Sequence, residues 1–370
     1  MSLALLAILP GLFIWTAILV LPWRPWSTRE SLDTEALASA EDLADVTILI
    51  PARNEAENIA NTLNALRSQG QDLNIIVVDD QSSDDTQQIA KSSGLPNLIV
   101  VDGKAKAQDW SGKLWALEQG RKSVDTRYTL LLDADISISP GLLATAVNKV
   151  KQEKLQMLSL MAFLKMETNW EKWLMPAFIF FFKLLYPFHL ANNEKSRFAA
   201  AAGGFILLET DVLDKLGGFE SIKHALIDDC SLAGKIKKAG HKTWTGLTHS
   251  AVSTRNYDQL QTIWQMVTRT AYTQLFYSPL LLLICTLLML AAFVMPLWGL
   301  WQPRDIVIYA AVTLFIQIWC YWPTIKYYNV KPYWVLSLPF AGIIYLIMTW
   351  HSAYQYYFCK GATWKGRHYQ

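Results

Sequence analysis

Short apolar runs alternate with amphipathic stretches between Val46 and about Thr270. Val46-Thr-Ile-Leu-Ile-Pro51, Ile75-Ile-Val-Val78, Leu98-Ile-Val-Val101 and Tyr128 to Leu132 read as strands. Between them, Ala56 to Leu66 places Ile59, Leu63 and Leu66 at helical spacing, and Asp84 to Ser92 and Lys113 to Lys122 also read as helices. Alternation of this kind predicts an α/β fold, a mainly parallel sheet with helices on both faces. The flanks have another pattern. Leu3 to Pro22 carries no charge, and neither do Leu275 to Leu300, Ile306 to Ile325 or Tyr333 to Phe358 beyond one histidine. Each is long enough to cross a hydrocarbon core, with tilt or kinking at Pro279, Pro296 and Pro339.

These patterns predict an amino-terminal membrane anchor over 1–23, a polar, acidic linker over 24–45, and a globular domain over 46–274. Three membrane helices over 275–358 and a basic tail over 359–370 follow. No Lys or Arg precedes the first apolar run, so it is read as a retained anchor and not a cleaved signal peptide. Arg24 and Arg29 place its carboxyl end, and with it the globular domain, in the cytoplasm. The basic loop Lys326 to Lys331 belongs on that side too. Three crossings, however, put Lys360, Lys365 and Arg367 on the opposite side, against the same rule. Within the globular domain, Trp173 to Leu190 is apolar but interrupted by Lys183, and is read as an interfacial or re-entrant helix flanked by Lys172 and Lys183, the alternative being an ordinary buried helix of that domain.

Hydrophobic residues make up 52% of the 370 and charged ones 17%, which strains a purely soluble reading. The net charge of +2 is too balanced for nucleic-acid binding by a basic field. The four cysteines are scattered, which excludes a zinc ribbon or a disulfide framework.

Carboxylates cluster where strands end. Asp79-Asp80 follows Asn74-Ile-Ile-Val-Val, Asp133-Ala-Asp135 follows Tyr128-Thr-Leu-Leu-Leu, and Asp228-Asp229 sits in Ala225-Leu-Ile-Asp-Asp-Cys. The carboxyl ends of parallel strands face the crevice where open α/β sheets bind ligands. The first strand runs into Pro51-Ala-Arg-Asn-Glu-Ala without a glycine, so neither a dinucleotide fingerprint nor a P-loop is present. A diphosphate would then need a cation bridging it to carboxylates, and Mg²⁺ or Mn²⁺ suits one or two carboxylates plus phosphate oxygens. Asp133 and Asp135 are the candidate ligands. Asp84 is better read as capping the next helix. Lys113 is as readily a solvated helix-end lysine as a phosphate ligand. His241 and His249 have no metal-ligand spacing and are read as structural, and Glu167 and Glu194 have no motif around them.

The order Pro51-Ala-Arg-Asn-Glu-Ala-Glu-Asn-Ile, Val77-Val-Asp-Asp-Gln-Ser-Ser-Asp-Asp-Thr, Gly112-Lys113, Asp133-Ala-Asp135 and Gly217-Gly-Phe-Glu…Asp228-Asp229 resembles the family 2 glycosyltransferases. Gly112-Lys-Leu-Trp-Ala-Leu, Pro176-Ala-Phe-Ile-Phe-Phe-Phe-Lys and Arg269-Thr-Ala-Tyr-Thr-Gln-Leu look most like the hopene-associated membrane members. Ceramide glucosyltransferases are similar at greater distance. The resemblance implies a family A glycosyltransferase-like, nucleotide-sugar-binding fold and an inverting transfer. It implies that Asp79 and Asp80 contact the uracil and ribose of a UDP-linked donor, that the loop Pro51, Arg53, Asn54, Glu55 lines the base pocket, and that Asp133 and Asp135 bind metal and diphosphate. It makes Asp229 the base, with Asp228 beside it where Glu is usual, and gives Arg269 and Lys113 a part in holding negative charge.

Inversion needs a carboxylate to take the acceptor hydroxyl's proton and positive charge to stabilise the departing diphosphate. The apolar flanks point to a lipid acceptor, so the expected enzyme is a multi-pass glycosyltransferase of a bacterial inner membrane, working in hopanoid or related glycolipid biosynthesis. Two alternatives stand beside it. A processive polysaccharide synthase is disfavoured because Met266-Val-Thr-Arg269-Thr270 lacks the Gln and Trp of the related motif in polymer synthases. A non-catalytic scaffold is disfavoured by the intact Asp80, Asp135 and Asp229.

Overall fold

A computed structural model describes residues 3–34, 43–70, 72–359, 362–364 and 367–369. Part of the expected linker (35–42) and the tail lysines Lys360 and Lys365 lie outside them. The chain divides into a sheet unit, Glu30–Lys165 with Phe188–Asn256, and a helical unit, Met1–Arg29 with Met166–Pro187 and Tyr257–Gln370. The sheet unit is therefore smaller than the 46–274 span expected for the globular domain. The apolar helix Asn169–Leu185 and the segment after Asn256 group with the other apolar helices.

Eight strands form the sheet: β1 Val46–Ala52, β2 Asn74–Asp79, β3 Leu98–Asp102, β4 Tyr128–Leu132, β5 Ile136–Ile138, β6 Met157–Phe163, β7 Phe205–Glu209 and β8 Thr243–Ser253. Their order is β3-β2-β1-β4-β7-β6-β8-β5. The first four in this order run parallel, as the alternating pattern predicts. Beyond β4 the sheet is mixed: β7 runs antiparallel to both β4 and β6, β8 parallel to β6, and β5 antiparallel to β8. The "mainly parallel" expectation holds for the half that the clearest βα repeats build. The mixed half follows from β7, which returns beside β4 from the other direction.

Successive side chains of each central strand enter opposite cores, because a strand's residues alternate between faces. Ile48, Ile50, Ile75, Val77, Leu130 and Leu132 join one cluster, while Leu49, Ile76, Val78 and Leu131 join the other. Continuous apolar runs are what a sheet covered on both faces requires. The helix Gly112–Arg121 lies on the second face, with Leu114, Ala116 and Leu117 in its core. Gly120 makes that approach possible, since a Cβ there would fall 2.3 Å from Leu49 and 2.7 Å from Val78.

The helical unit contains four helices long and apolar enough to cross a membrane: Leu3–Val20, Pro279–Gly299, Arg304–Tyr327 and Pro332–Phe358. All four match the sequence expectation. Gly11 lets the first helix press on the second, because a Cβ there would sit 2.2 Å from the Ala291 carbonyl oxygen. Small residues at such crossings are a common packing device between membrane helices. A π-helical turn at Leu290–Val294 goes with an added use of the Ala292 carbonyl, which accepts from both Trp15 Nε1 (3.0 Å) and Gln317 Nε2 (2.9 Å). The last helix runs antiparallel to Pro279–Gly299. Gly342 faces Phe293, Trp350 Nε1 donates to Thr286 Oγ1 at 2.9 Å, and Tyr356 stacks on Tyr277 at 4.5 Å.

Asn169–Leu185 begins four residues earlier than expected. Thr168 and Glu171 form a capping box, Thr168 Oγ1 accepting the Glu171 N–H and Glu171 accepting the Thr168 N–H, which satisfies two otherwise orphaned donors. Phe180 is fully buried against Trp15, Tyr321 and Phe181. Lys183, expected as an exposed flank, is buried and donates to the Ser27 carbonyl (3.0 Å) and Thr324 Oγ1 (3.5 Å). The remainder of the expected 173–190 segment starts a separate short helix, Phe188–Asn192, in the sheet unit.

Candidate functional site

Three elements of the sheet unit deliver charge to one place. Asp133 follows β4, its N–H donating to the Gly204 carbonyl at the start of β7. Lys113 stands in the first turn of Gly112–Arg121, whose N-cap Ser111 accepts the Leu114 N–H. Asp228 and Asp229 open the helix Asp228–Lys238, where the positive end of the helix dipole favours acids. Lys113 Nζ lies 2.7 Å from Asp133 Oδ1 and 3.7 Å from Asp228 Oδ2. Gly203 supplies the floor: a Cβ there would lie 3.2 Å from Lys113 Nζ, 3.5 Å from Asp229 Oδ2 and 3.9 Å from Asp133 Oδ2. The charged atoms thus converge within contact distance of a single methyl group placed at Gly203. Pro51, Leu114, Leu131, Ile206 and Phe219 also line this pocket.

The electrostatics follow from enclosure. Burial opposes the charge on Lys113, but Asp133 and Asp228 outweigh it and push the ammonium pKa up. Burial raises the Asp133 pKa, with Lys113 opposing. Burial, then the neighbouring Asp228, pushes Asp229 up to about 7, although its Oδ1 accepts the Cys230 N–H at 2.7 Å. A carboxylate poised near neutrality is well matched to accepting a proton.

The second group of predicted residues forms a loop pair next to this pocket. Arg53 donates to the carbonyls of Asp80 and Gln81. Asn54, in a left-handed conformation (φ 49), takes the Ser83 N–H on Oδ1 at 2.8 Å, and its own N–H donates to Ser82 Oγ. The Glu55 N–H donates to Thr86 Oγ1 at 2.8 Å. Asp79 and Asp80 are buried at the end of β2. Asp79 Oδ2 accepts the Ser82 N–H, while Oδ1 is buried with no hydrogen-bond partner among the described residues. Buried acceptors are normally satisfied, so a lone one marks where a ligand donor would fit. Asp84 accepts the N–H groups of Thr86 and Ala56, which agrees with its expected place at the start of the helix Thr86–Lys91, although Asp85 holds the cap position itself.

The Asp-x-Asp pair is split between two networks. Asp133 joins Lys113, whereas Asp135 Oδ2 accepts from Ser253 Oγ (2.9 Å) and Arg255 Nε (3.2 Å). Arg255 Nη2 also reaches Glu55 Oε1 at 2.8 Å. Arg269 belongs to the helical unit, where it caps the helix Leu260–Thr268. It is not among the residues that the sheet unit gathers. His249 pairs with Asp33 at 2.9 Å, tying the start of the sheet unit to β8, in line with a structural role.

Sequence reasoning missed three contributors. Gly203 was legible only as half of a Gly-Gly pair. Arg255 follows a strand with no motif. Glu118 looked like any helix-surface acid, yet it is buried and accepts the Phe219 N–H (3.0 Å) while pairing with Arg121. That contact anchors Gly217-Gly-Phe-Glu, and Gly218 (φ 62) has no room for a side chain beside Arg121.

Residues 47–217 match the family described as Glycosyl transferase family 2. A stretch of 95 residues is 37% identical to the 4,4'-diaponeurosporenoate glycosyltransferase of Staphylococcus aureus (strain USA300), covering 25% of this chain and 24% of that relative. This chain therefore spans about a quarter of the relative's length in the match. Among solved structures, a mannosyltransferase from Pyrobaculum calidifontis in complex with GDP-Man and Mn²⁺ superposes with a TM-score of 0.56. It is 17% identical, and the superposition covers 93% of this chain and 98% of the other. The Asp228-Asp229 pair and Arg255 lie beyond the matched family residues. Residues 47–217 thus match the Glycosyl transferase family 2 model, in a chain with a family A glycosyltransferase-like α/β fold and four helices long and apolar enough to span a membrane.

Proposed function

We propose that this chain moves a sugar, with inversion, from a nucleotide-sugar donor, UDP-linked, to a membrane lipid. The observation that carries this reading is the convergence of Asp133, Asp229 and Lys113 on the space above Gly203 at the end of β4. The pyrimidine and ribose would be held by Asp79, whose unsatisfied Oδ1 suits a base or hydroxyl donor, together with Asp80 and the loop Pro51, Arg53, Asn54 and Glu55. Lys113 would meet the diphosphate, and Arg269 would add positive charge.

The donor set also suits a divalent cation. Carboxylate oxygens are hard ligands, and among the described residues no three His, Cys, Asp or Glu side chains form a closed cage. That composition fits Mg²⁺ or Mn²⁺ held by one or two carboxylates, Asp133 and Asp135, with phosphate oxygens completing the shell. Once bound, the cation would stabilise charge on the leaving diphosphate. Asp229 would accept the proton of the attacking hydroxyl, and Asp228 would raise its basicity by like-charge proximity. The fold neighbour's Mn²⁺ and GDP-Man are a cation and a donor of the proposed classes.

The four apolar helices support an acceptor within the bilayer. The S. aureus relative is named for the small acceptor diaponeurosporenoate, which supports a non-polymeric acceptor; the lipid proposed for this chain is a hopanoid or related lipid. The enzyme would sit in a bacterial inner membrane with its sheet unit facing the cytoplasm. Purified full-length protein, labelled nucleotide sugars and a lipid extract test this. A low-mass labelled lipid is expected, lost in excess chelator and in Asp135→Ala. A labelled polymer would point to a polysaccharide synthase, and no turnover with any donor to a scaffold. Full activity in excess chelator would remove the cation from the scheme.

A further inference from the structure

Asp135 is 8% exposed and Glu55 5%, and both are paired with one guanidinium, that of Arg255. Buried carboxylates in such a position repel each other unless a cation stands between them. Arg255 is separated from them by 120 and 200 residues of chain, so only the fold brings the three together. The surrounding bonds make a brace. Thr254 donates its N–H to the Asp135 carbonyl at 2.7 Å, and its hydroxyl to that carbonyl and to Asn58 Oδ1. Asn58 Nδ2 in turn donates to Glu55 Oε2 at 3.0 Å. Among the described residues, both hydrogen bonds to the Asp135 carboxylate fall on Oδ2.

We propose that Arg255 is a positioning residue for the cation site, and this rests on the reading of Asp135 as a cation ligand. Arg255, with Ser253, fixes Asp135 by Oδ2 and leaves Oδ1 to a divalent cation. Glu55, Asp135 and Arg255 together carry one net negative charge, so the guanidinium cancels Glu55 without cancelling the attraction for the cation. The same guanidinium couples the cation ligand to the nucleotide loop through Glu55. Carboxylate ligands are commonly oriented by such outer partners, whose loss lowers metal affinity 10–100-fold.

The test is Mn²⁺ binding to the donor-free full-length protein, read from the loss of the free Mn²⁺ resonance by EPR, alongside melting curves. Wild type should bind and Asp135→Ala should bind far more weakly. Arg255→Gln should weaken binding about 10–100-fold. Ser253→Ala, which removes one neutral bond and leaves both ion pairs, should weaken it less, with an unchanged melting temperature. If Arg255→Gln does not fold, Ser253→Ala decides: unchanged affinity in a stable protein overturns the proposal. Affinity that is equal or tighter in folded Arg255→Gln also overturns it, because the guanidinium would then be idle or a competitor. If wild type and Asp135→Ala bind alike, the assignment of Asp135 as a ligand fails instead.

Discussion

At the scale of single residues, the aspartate pairs were legible because acids at the ends of apolar runs have few structural uses. What those acids do depends on their neighbours. Asp229 is pushed to about 7 by burial and by Asp228, and a base must be ionised to accept a proton. Below about pH 7 it holds its own proton, so turnover should climb as pH rises towards 7 and level off above. Asp229→Asn keeps the shape but not the basicity. It should lower kcat by roughly 10²–10⁴-fold, abolish that rising limb and leave donor affinity within a few-fold of wild type. A matching collapse of donor affinity would make Asp229 a binding residue. Gly203, Glu118 and Arg255 were not legible, since their importance lies in contacts with residues distant along the chain.

At the scale of elements, β1, β2 and β4 were readable because a strand buried on both faces must be apolar throughout, and the edge strand β3 because Leu98-Ile-Val-Val is apolar even though Ile99 is exposed. The direction of β7 was not, because an apolar run looks the same whichever way it pairs. Asn169–Leu185 shows the same ambiguity. An apolar helix fits a headgroup plane and a protein interior equally well on pattern alone, and packing against Trp15 and Tyr321 decides for the interior at Phe180. Phe180→Ala should therefore cost about 3–5 kcal/mol in stability, the usual result of emptying a buried aromatic site. Thermal melting of the detergent-solubilised protein measures it. A melting temperature equal to wild type would mean that this face is supported by lipid and not by protein.

At the scale of the molecule, the helical unit bears on the awkward position of the basic tail. Tyr356, at the end of the last apolar helix, stacks on Tyr277, just before Pro279–Gly299 begins. The two ends therefore share one side. Between Asn256 and Tyr277 lie the nine-residue helix Leu260–Thr268, about 14 Å long and too short to cross a bilayer, and a single turn, Thr273–Leu275. Exposed Cys359 should thus react from the side on which Pro279–Gly299 begins, the cytoplasmic side in the proposed orientation. With Cys230, Cys285 and Cys320 replaced, a membrane-impermeant maleimide should label it in inverted vesicles and not in intact cells. Labelling in intact cells would restore the odd number of crossings that run lengths alone suggest. By itself the sequence determined four of the eight strands, β1 to β4, and the four long apolar helices, and it singled out the acid pairs as candidates, because burial and strand-end position leave local patterns. Only the tertiary structure decided the mixed half of the sheet, the union of 166–187 with the other apolar helices, the split of Asp133 from Asp135, and the antiparallel pairing of the last apolar helix with Pro279–Gly299. Each of these is a choice of partner, and local composition is the same whichever distant partner is chosen.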